Sequence, residues 1–305
     1  MVSRVKAMNL FACPVAHGQT KAGVEKGAIF LRDSLSYLFD KTVTLIPEQK
    51  NRPSSDAADI EGIQQQRFEE TVQYNKRLFG GLQDTNKEDF NVIFGGDHSI
   101  SAASVLAHKN RFPGERVGVL WIDAHADINT VETSPSKSTH GMPLAFGTKM
   151  INFSDDANLE YLKYDELVYY GLRSVDDEER NLIQAQNIKN FKFPSDDFFA
   201  CLNEFDRLHV SFDVDVLDPS IIQCTGCLVE EGEEISTISN IVAKLDNVTS
   251  LDIVEFNPTI NPERSASNLN IITKMFSSFA RRQGSTPPQE DGRDIGDFGG
   301  LEPVL

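Results

Sequence analysis

The six residues from Val117 to Ile122 read Val-Gly-Val-Leu-Trp-Ile, an apolar run without a charge in it. Successive side chains of a strand point to opposite faces, so such a run must be covered on both sides. Strands buried on both faces belong to the interior of parallel sheets. The residues immediately after the run are equally constraining. Asp123-Ala-His125-Ala-Asp127 offers two carboxylates and an imidazole from one short stretch of chain. Oxygen and nitrogen donors packed that closely suit a hard or borderline divalent cation. Open α/β sheets build their active sites at the C-terminal ends of such strands.

The alternation of short apolar runs with amphipathic stretches continues along the chain. Strands are expected at Met8–Cys13, Val43–Ile46, Asn91–Phe94, Val117–Ile122, Leu167–Tyr170, Leu208–Phe212 and Ser250–Val254. Helices are expected at Val24–Leu38, Ile60–Leu82, Ser101–Asn110, Asp177–Ala185, Glu234–Leu245 and Asn268–Ala280. The fold class is therefore α/β, with βα units stacked into a mostly parallel sheet. No internal repeat or strong linker interrupts the pattern, so residues 1–280 are expected to form one domain. Residues 281–305, rich in Gly, Pro, Asp and Glu, form a polar tail that either stays disordered or orders against a neighbouring subunit.

Composition narrows the function classes. Twenty-nine basic against 46 acidic residues give a net charge of −17. That disfavours nucleic acid and anionic membranes as partners, since both need basic patches. It is compatible with a cationic substrate, although most of the charge reads as solvated surface. No apolar stretch is long enough to span a bilayer. Arg4 and Lys6 are not followed by an apolar signal-peptide core, and Cys13, Cys201, Cys224 and Cys227 are too scattered for a disulfide framework. A reducing, cytoplasmic setting is expected.

Two further strands end in metal-type residues: Gly95-Gly96-Asp97-His98-Ser99 comes after one, and Asp213-Val214-Asp215 after another. Asp213 and Asp215, two apart, share one side of an extended chain. Taken singly, His98 reads as a structural histidine and the Asp-x-Asp as a turn. Together with the first triplet they form a set of carboxylates whose burial is costly unless a cation neutralises it. Four Asp and two His are too oxygen-rich for structural zinc and too many for one transition metal. Two ions sharing bridging carboxylates fit better, and the mixed O/N donor set fits manganese.

Over nearly its whole length the sequence resembles the arginases of the ureohydrolase superfamily. The resemblance rests on Gly18-Gln19, Gly23 to Gly27, Gly95 to Ser99, Asp123 to Asn129, His140-Gly-Met-Pro143, Ser211 to Pro219 and Asp252 to Pro258, in the family's order and spacing. It implies a three-layer α/β/α fold holding two Mn2+ ions. The more buried ion would be held by His98, Asp123, Asp127 and Asp213, and the second by Asp123, His125, Asp213 and Asp215. The implied reaction is hydrolysis of L-arginine to L-ornithine and urea by a hydroxide shared between the two ions. His140 matches the family's proton shuttle, and Glu255 the carboxylate that faces the guanidinium. His125, Asn129, Ser136 and Ser138, Asp176, Glu179 and Cys227 match the substrate-binding side. The resemblance also implies a homotrimer.

Two departures fall on the substrate side. Ser136-Lys137-Ser138 stands where the family commonly has Ser-Gly-Asn, and Thr225-Gly-Cys227-Leu228 where it has Thr-Gly-Thr-Pro. A thiol is a weaker hydrogen-bond partner than a hydroxyl, and Lys137 adds a positive charge near the carboxylate side. Both changes bear on arginine preference rather than on the metal chemistry. The alternatives are another amidinohydrolase, such as an agmatinase or guanidinobutyrase, or a non-catalytic relative in which Cys224 or Cys227 is redox-active. The complete ligand set argues against the last.

Overall fold

A computed structural model describes residues 7–39, 43–47 and 60–282. Its elements are β1 (Met8–Cys13), α1 (Val24–Phe39), β2 (Val43–Leu45), α2 (Ile60–Gln83), β3 (Phe90–Gly95), α3 (Ser101–Arg111), β4 (Val117–Ile122) and α4 (Pro143–Gly147). After these come β5 (Leu167–Tyr170), α5 (Asp177–Ala185), β6 (Lys189–Phe191), α6 (Asp196–Leu202), β7 (Arg207–Asp213), α7 (Ile235–Lys244), β8 (Val248–Val254) and α8 (Pro262–Arg282). The strands form one 8-stranded sheet in the order β2-β1-β3-β8-β7-β4-β5-β6. Every neighbouring pair runs parallel. The C-terminal ends of β3, β8, β7 and β4 therefore lie side by side on one edge.

Alternation along the strands divides the interior into two layers. Leu120 and Ile122 of β4, Val210 and Phe212 of β7, and Leu251 and Ile253 of β8 pack with Leu31 and Leu35 of α1, Ile238 and Ile241 of α7, and Ile272 and Phe276 of α8. Val119 and Trp121 face the other way, toward Val105 of α3 and Leu144 of α4. Tyr74 and Leu78 of α2 pack with Ile93 of β3 and Ala103 of α3 on the same side. The result is a three-layer α/β/α arrangement.

All seven expected strands are present, three of them with the expected bounds. The eighth, β6, is short, and Lys189 and Asn190 are exposed, so it carries no apolar signal. It sits at the sheet's edge, where pairing on one side is enough. α6 is likewise absent from the expected elements, although Ser195 caps it by accepting a hydrogen bond from Phe198 N at 3.3 Å. α8 begins six residues before the expected Asn268, at Pro262, whose locked φ and missing N–H suit a first helical position. It also extends through Arg282, two residues into the expected tail, and the remaining tail, 283–305, lies outside the described residues. No helix among the described residues is long and apolar enough to cross a membrane.

Candidate metal centre

Each of three strand ends turns in the same way. Asp97 Oδ1 accepts from Ser99 N (3.0 Å), Asp123 Oδ1 from His125 N (2.7 Å) and Asp213 Oδ1 from Asp215 N (2.8 Å). An aspartate that binds the amide two residues on bends the chain locally. The second oxygens of Asp123 and Asp213 then each lie 3.1 Å from His98 Nδ1, while that of Asp97 accepts from Gly18 N at 2.7 Å. The bend after β3 also brings Gly96 against the loop after β1, where a Cβ would come within 2.0 Å of Val15 O. Only glycine allows that approach.

These turns aim six side chains at one place. His98 Nδ1 lies 3.1 Å from an oxygen of each of Asp123, Asp127 and Asp213. His125 Nδ1 lies 3.0 Å from Asp215 Oδ2 and 3.5 Å from Asp123 Oδ1. His98, Asp123 and Asp127 thus form one group of donors, and Asp123, His125 and Asp215 a second, with Asp123 common to both. Asp213 joins the His98 side through Oδ2, while Oδ1 takes the Asp215 amide.

Four carboxylates this close and this buried repel one another. Burial, then neighbouring carboxylates, push Asp127 and Asp213 upward and bring Asp215 to about 7. Asp123 goes the other way: the imidazoles of His125 and His98 outweigh its burial and hold it below the usual range. His98 Nδ1 is buried and has no well-directed hydrogen bond, yet three carboxylate oxygens surround it. A single N–H cannot serve three acceptors. A cation accepting the nitrogen lone pair and the oxygens together satisfies all of them, so the residues fit a metal.

The far side of His98 is fixed by groups to which sequence reasoning assigns no role. Nε2 lies 2.8 Å from Ser211 Oγ, which donates to Asp252 Oδ1 at 2.6 Å. The serine hydrogen is thereby used, so His98 donates from Nε2 and keeps the Nδ1 lone pair for the metal. Trp121 stacks on the imidazole, with centroids 4.2 Å apart and planes within 5°, and donates from Nε1 to Asp123 Oδ2 at 3.0 Å. Ser101, Ser104 and His209 converge on Asp252 Oδ2. Alternating polar residues in otherwise apolar strands, His209 and Ser211 in β7 and Ser250 and Asp252 in β8, are the signal that would have found them.

Glu255 comes directly after β8 with φ at 64°, a conformation that is strained for any residue but glycine. Its Oε1 accepts from His98 N (2.9 Å) and lies 3.2 Å from His140 Nδ1, and its Oε2 accepts from Gln19 Nε2 (2.8 Å). Burial disfavours the His140 cation, but the hydrogen bond and charge of Glu255 outweigh it and lift His140 to about 9. His140 N also donates to Gly18 O, and a Cβ on Gly18 would come within 2.9 Å of His140 N.

The expected substrate-side residues spread along the rim. Asn129 Nδ2 donates to Asp176 Oδ2 at 2.9 Å, joining the metal loop to the start of α5. Glu179 is buried, and its two oxygens take Ile128 N and Asp176 N, both at 3.1 Å. It positions these two segments and has no oxygen turned outward. Ser136 is exposed and accepts from Ser138 N at 3.2 Å. Lys137 does not reach over the site: its Nζ donates to Val131 O and Glu132 O of its own loop. Cys227 lies within the fields of His125, Glu255, Lys21 and Asp215, and burial pushes its thiol up to about 11. Cys224 is buried with Sγ on Asn261 O at 3.2 Å, and neither cysteine is in a disulfide.

The profile of the Arginase family matches residues 6–278. Arginase of Emericella nidulans is 32% identical over 292 residues, which cover 85% of this chain and 89% of that protein. Arginase-1 of Rattus norvegicus is 31% identical, with coverage of 95% and 98%. The structure of Entamoeba histolytica arginase in complex with L-ornithine superposes with a TM-score of 0.76 at 29% identity, over 90% of this chain and 99% of that one. The chain belongs to the arginase family.

Proposed function

We infer that this protein is an arginase that hydrolyses L-arginine to L-ornithine and urea with two Mn2+ ions. The observation that carries the reading is the pair of donor groups sharing Asp123. His98, Asp123, Asp127 and Asp213 would hold one ion, and Asp123, His125, Asp213 and Asp215 the other. When bound, the two cations supply a water that loses its proton near neutral pH and polarise the guanidinium carbon's surroundings.

The remaining steps fall to the chain's own residues. Glu255, kept ionised, takes the planar guanidinium through charge-assisted hydrogen bonds and sets its orientation. His140, cationic beside Glu255, donates the proton that the departing ornithine amine needs. Asn129, Ser136, Ser138 and Asp176 receive the α-amino and α-carboxylate groups, with His125 and Cys227 beside the substrate. Glu179 acts through Asp176. Residues 1–280 form the single catalytic domain, working in the cytoplasm as a homotrimer.

The test is a side-by-side assay of L-arginine, agmatine and guanidinobutyrate with the manganese-loaded protein. L-arginine is expected to turn over fastest, with His125→Ala and Asp215→Ala nearly abolishing urea release. Agmatine or guanidinobutyrate turning over faster transfers the site to another amidinohydrolase. Unchanged urea release in both variants overturns the metal assignment.

A further inference from the structure

α3 lays Ser101, Ser104, His108 and Arg111 on the sheet, at spacings that keep them on one helix face. The first two donate to Asp252 Oδ2, and His108 Nδ1 lies 3.3 Å from Ser250 Oγ. The last turn is less complete. Arg111 is only 8% exposed, and its Nη2 donates to the carbonyl oxygens of Asn86 and Asp89. Arg111 Nε and Nη1 are buried without a partner, as is Nε2 of His108, which is 2% exposed. Both side chains line a small cavity with Asn91, Ser104 and Ser250 at its polar side and Leu82 and Ile93 at its apolar side. It has room for about one water-sized occupant.

Charge distinguishes between occupants. Three cations crowd this end of the sheet, and two have their own carboxylates: Lys109 with Glu166 at 2.7 Å and Arg207 with Glu115 at 2.6 Å. Among the described residues no carboxylate forms an ion pair with Arg111; Asp89 and Glu88 act on it only through their field. A buried cation without a counter-charge is costly. Burial and the surrounding cations also hold His108 well below the usual imidazole range, which keeps one N–H to donate. Water would fill the hydrogen bonds and leave the guanidinium charge uncompensated; an anion does both.

We propose that this cavity binds a small monovalent anion of the halide class, held by Arg111 Nε and Nη1 and by His108 Nε2. The site is not isolated. From Ser250 Oγ, the hydrogen-bonded line runs through His209 Nδ1 at 2.5 Å, His209 Nε2 to Asp252 Oδ2 at 3.1 Å, and Asp252 to Ser211 and His98. The anion would anchor the outer end of the line whose inner end orients a metal-type ligand.

Crystals of the full chain grown in sodium bromide test this directly. The expected result is an anomalous peak in the cavity, within hydrogen-bonding reach of Arg111 and His108. Thermal unfolding gives a second readout, in bromide against gluconate at equal ionic strength. The wild type is expected to gain roughly 1–2 °C at bromide concentrations several times the Kd, and Arg111→Gln nothing. The crystallographic arm needs no variant, so it stands even where Arg111→Gln does not fold. A water-like peak without anomalous signal, bromide only at the surface as an adventitious ion, or identical melting of the wild type in both salts overturns the proposal.

Discussion

The two faces of the central strands are built from the same chain and could hardly differ more. On one face Ile122, Phe212, Leu251 and Ile253 meet α1, α7 and α8 in a wholly apolar layer. On the other, one residue along, His209, Ser211, Ser250 and Asp252 meet Ser101, Ser104 and His108 of α3 in a layer of hydrogen bonds. The apolar face contributes stability by removing area from water, and it tolerates changes that preserve volume. The polar face gains little net stability per bond, but leaving any member unpaired is expensive. What it contributes is direction: Asp252 gathers Ser101, Ser104, His209 and Ser211, and Ser211 in turn meets His98. One side of the sheet is thus packed by apolar residues alone, while the other combines apolar packing with the bonds that orient the metal-type ligands.

Breaking the polar face at its hub has the largest expected effect. Asp252→Ala strands a buried histidine and three serines, at about 3–5 kcal/mol of stability. It is also expected to weaken manganese binding about 10–100-fold, read by calorimetric titration. Its neighbour provides the contrast: Leu251→Ala is expected to cost about 2–5 kcal/mol in denaturant unfolding with manganese affinity unchanged. Equal losses of metal affinity in the two variants would remove the distinction between the faces.

The open edge of the site adds a pH test. His140 is raised from 6.5 to about 9 by its pairing with Glu255, so the folded state holds a proton that the unfolded chain releases. Stability from this pair is complete below about 6.5 and is lost as pH rises through about 9. Chelator-treated protein should melt at progressively lower temperature across that window, and Glu255→Gln should flatten the dependence. Smaller still, Ser211→Ala is expected to cost about 1 kcal/mol and about tenfold in manganese affinity. Ile122→Val, on the apolar face, is expected to cost about 1 kcal/mol and nothing in metal binding.

Much of the site was legible because its groups are neighbours in the chain. Asp123, His125 and Asp127 come after a strand that announces itself by six residues without a charge, His98 comes shortly after the short apolar run in β3, and Asp213 and Asp215 stand at and just beyond the end of β7. The polar layer was not legible. Ser211 and Asp252 are 41 residues apart and meet because β7 and β8 pair in parallel with Ser211 opposite Asp252 and His209 opposite Ser250. Serines in a strand carry no label of what they will face. Glu179 shows the same limit: its position suggests a substrate contact, and its two engaged oxygens are apparent only from the fold.

Local pattern was enough to establish the parallel α/β class, the strand ends that carry the donors and the residue types that demand a cation, since alternation and burial are properties of short stretches of chain. The sheet order, which sets β3, β8, β7 and β4 side by side, was decided only by folding. So were the pairing of Glu255 with His140 and the chain of bonds that turns His98 toward the metal site. Each depends on contacts between segments far apart in sequence, and those exist only once the sheet has closed its register and excluded water from both faces.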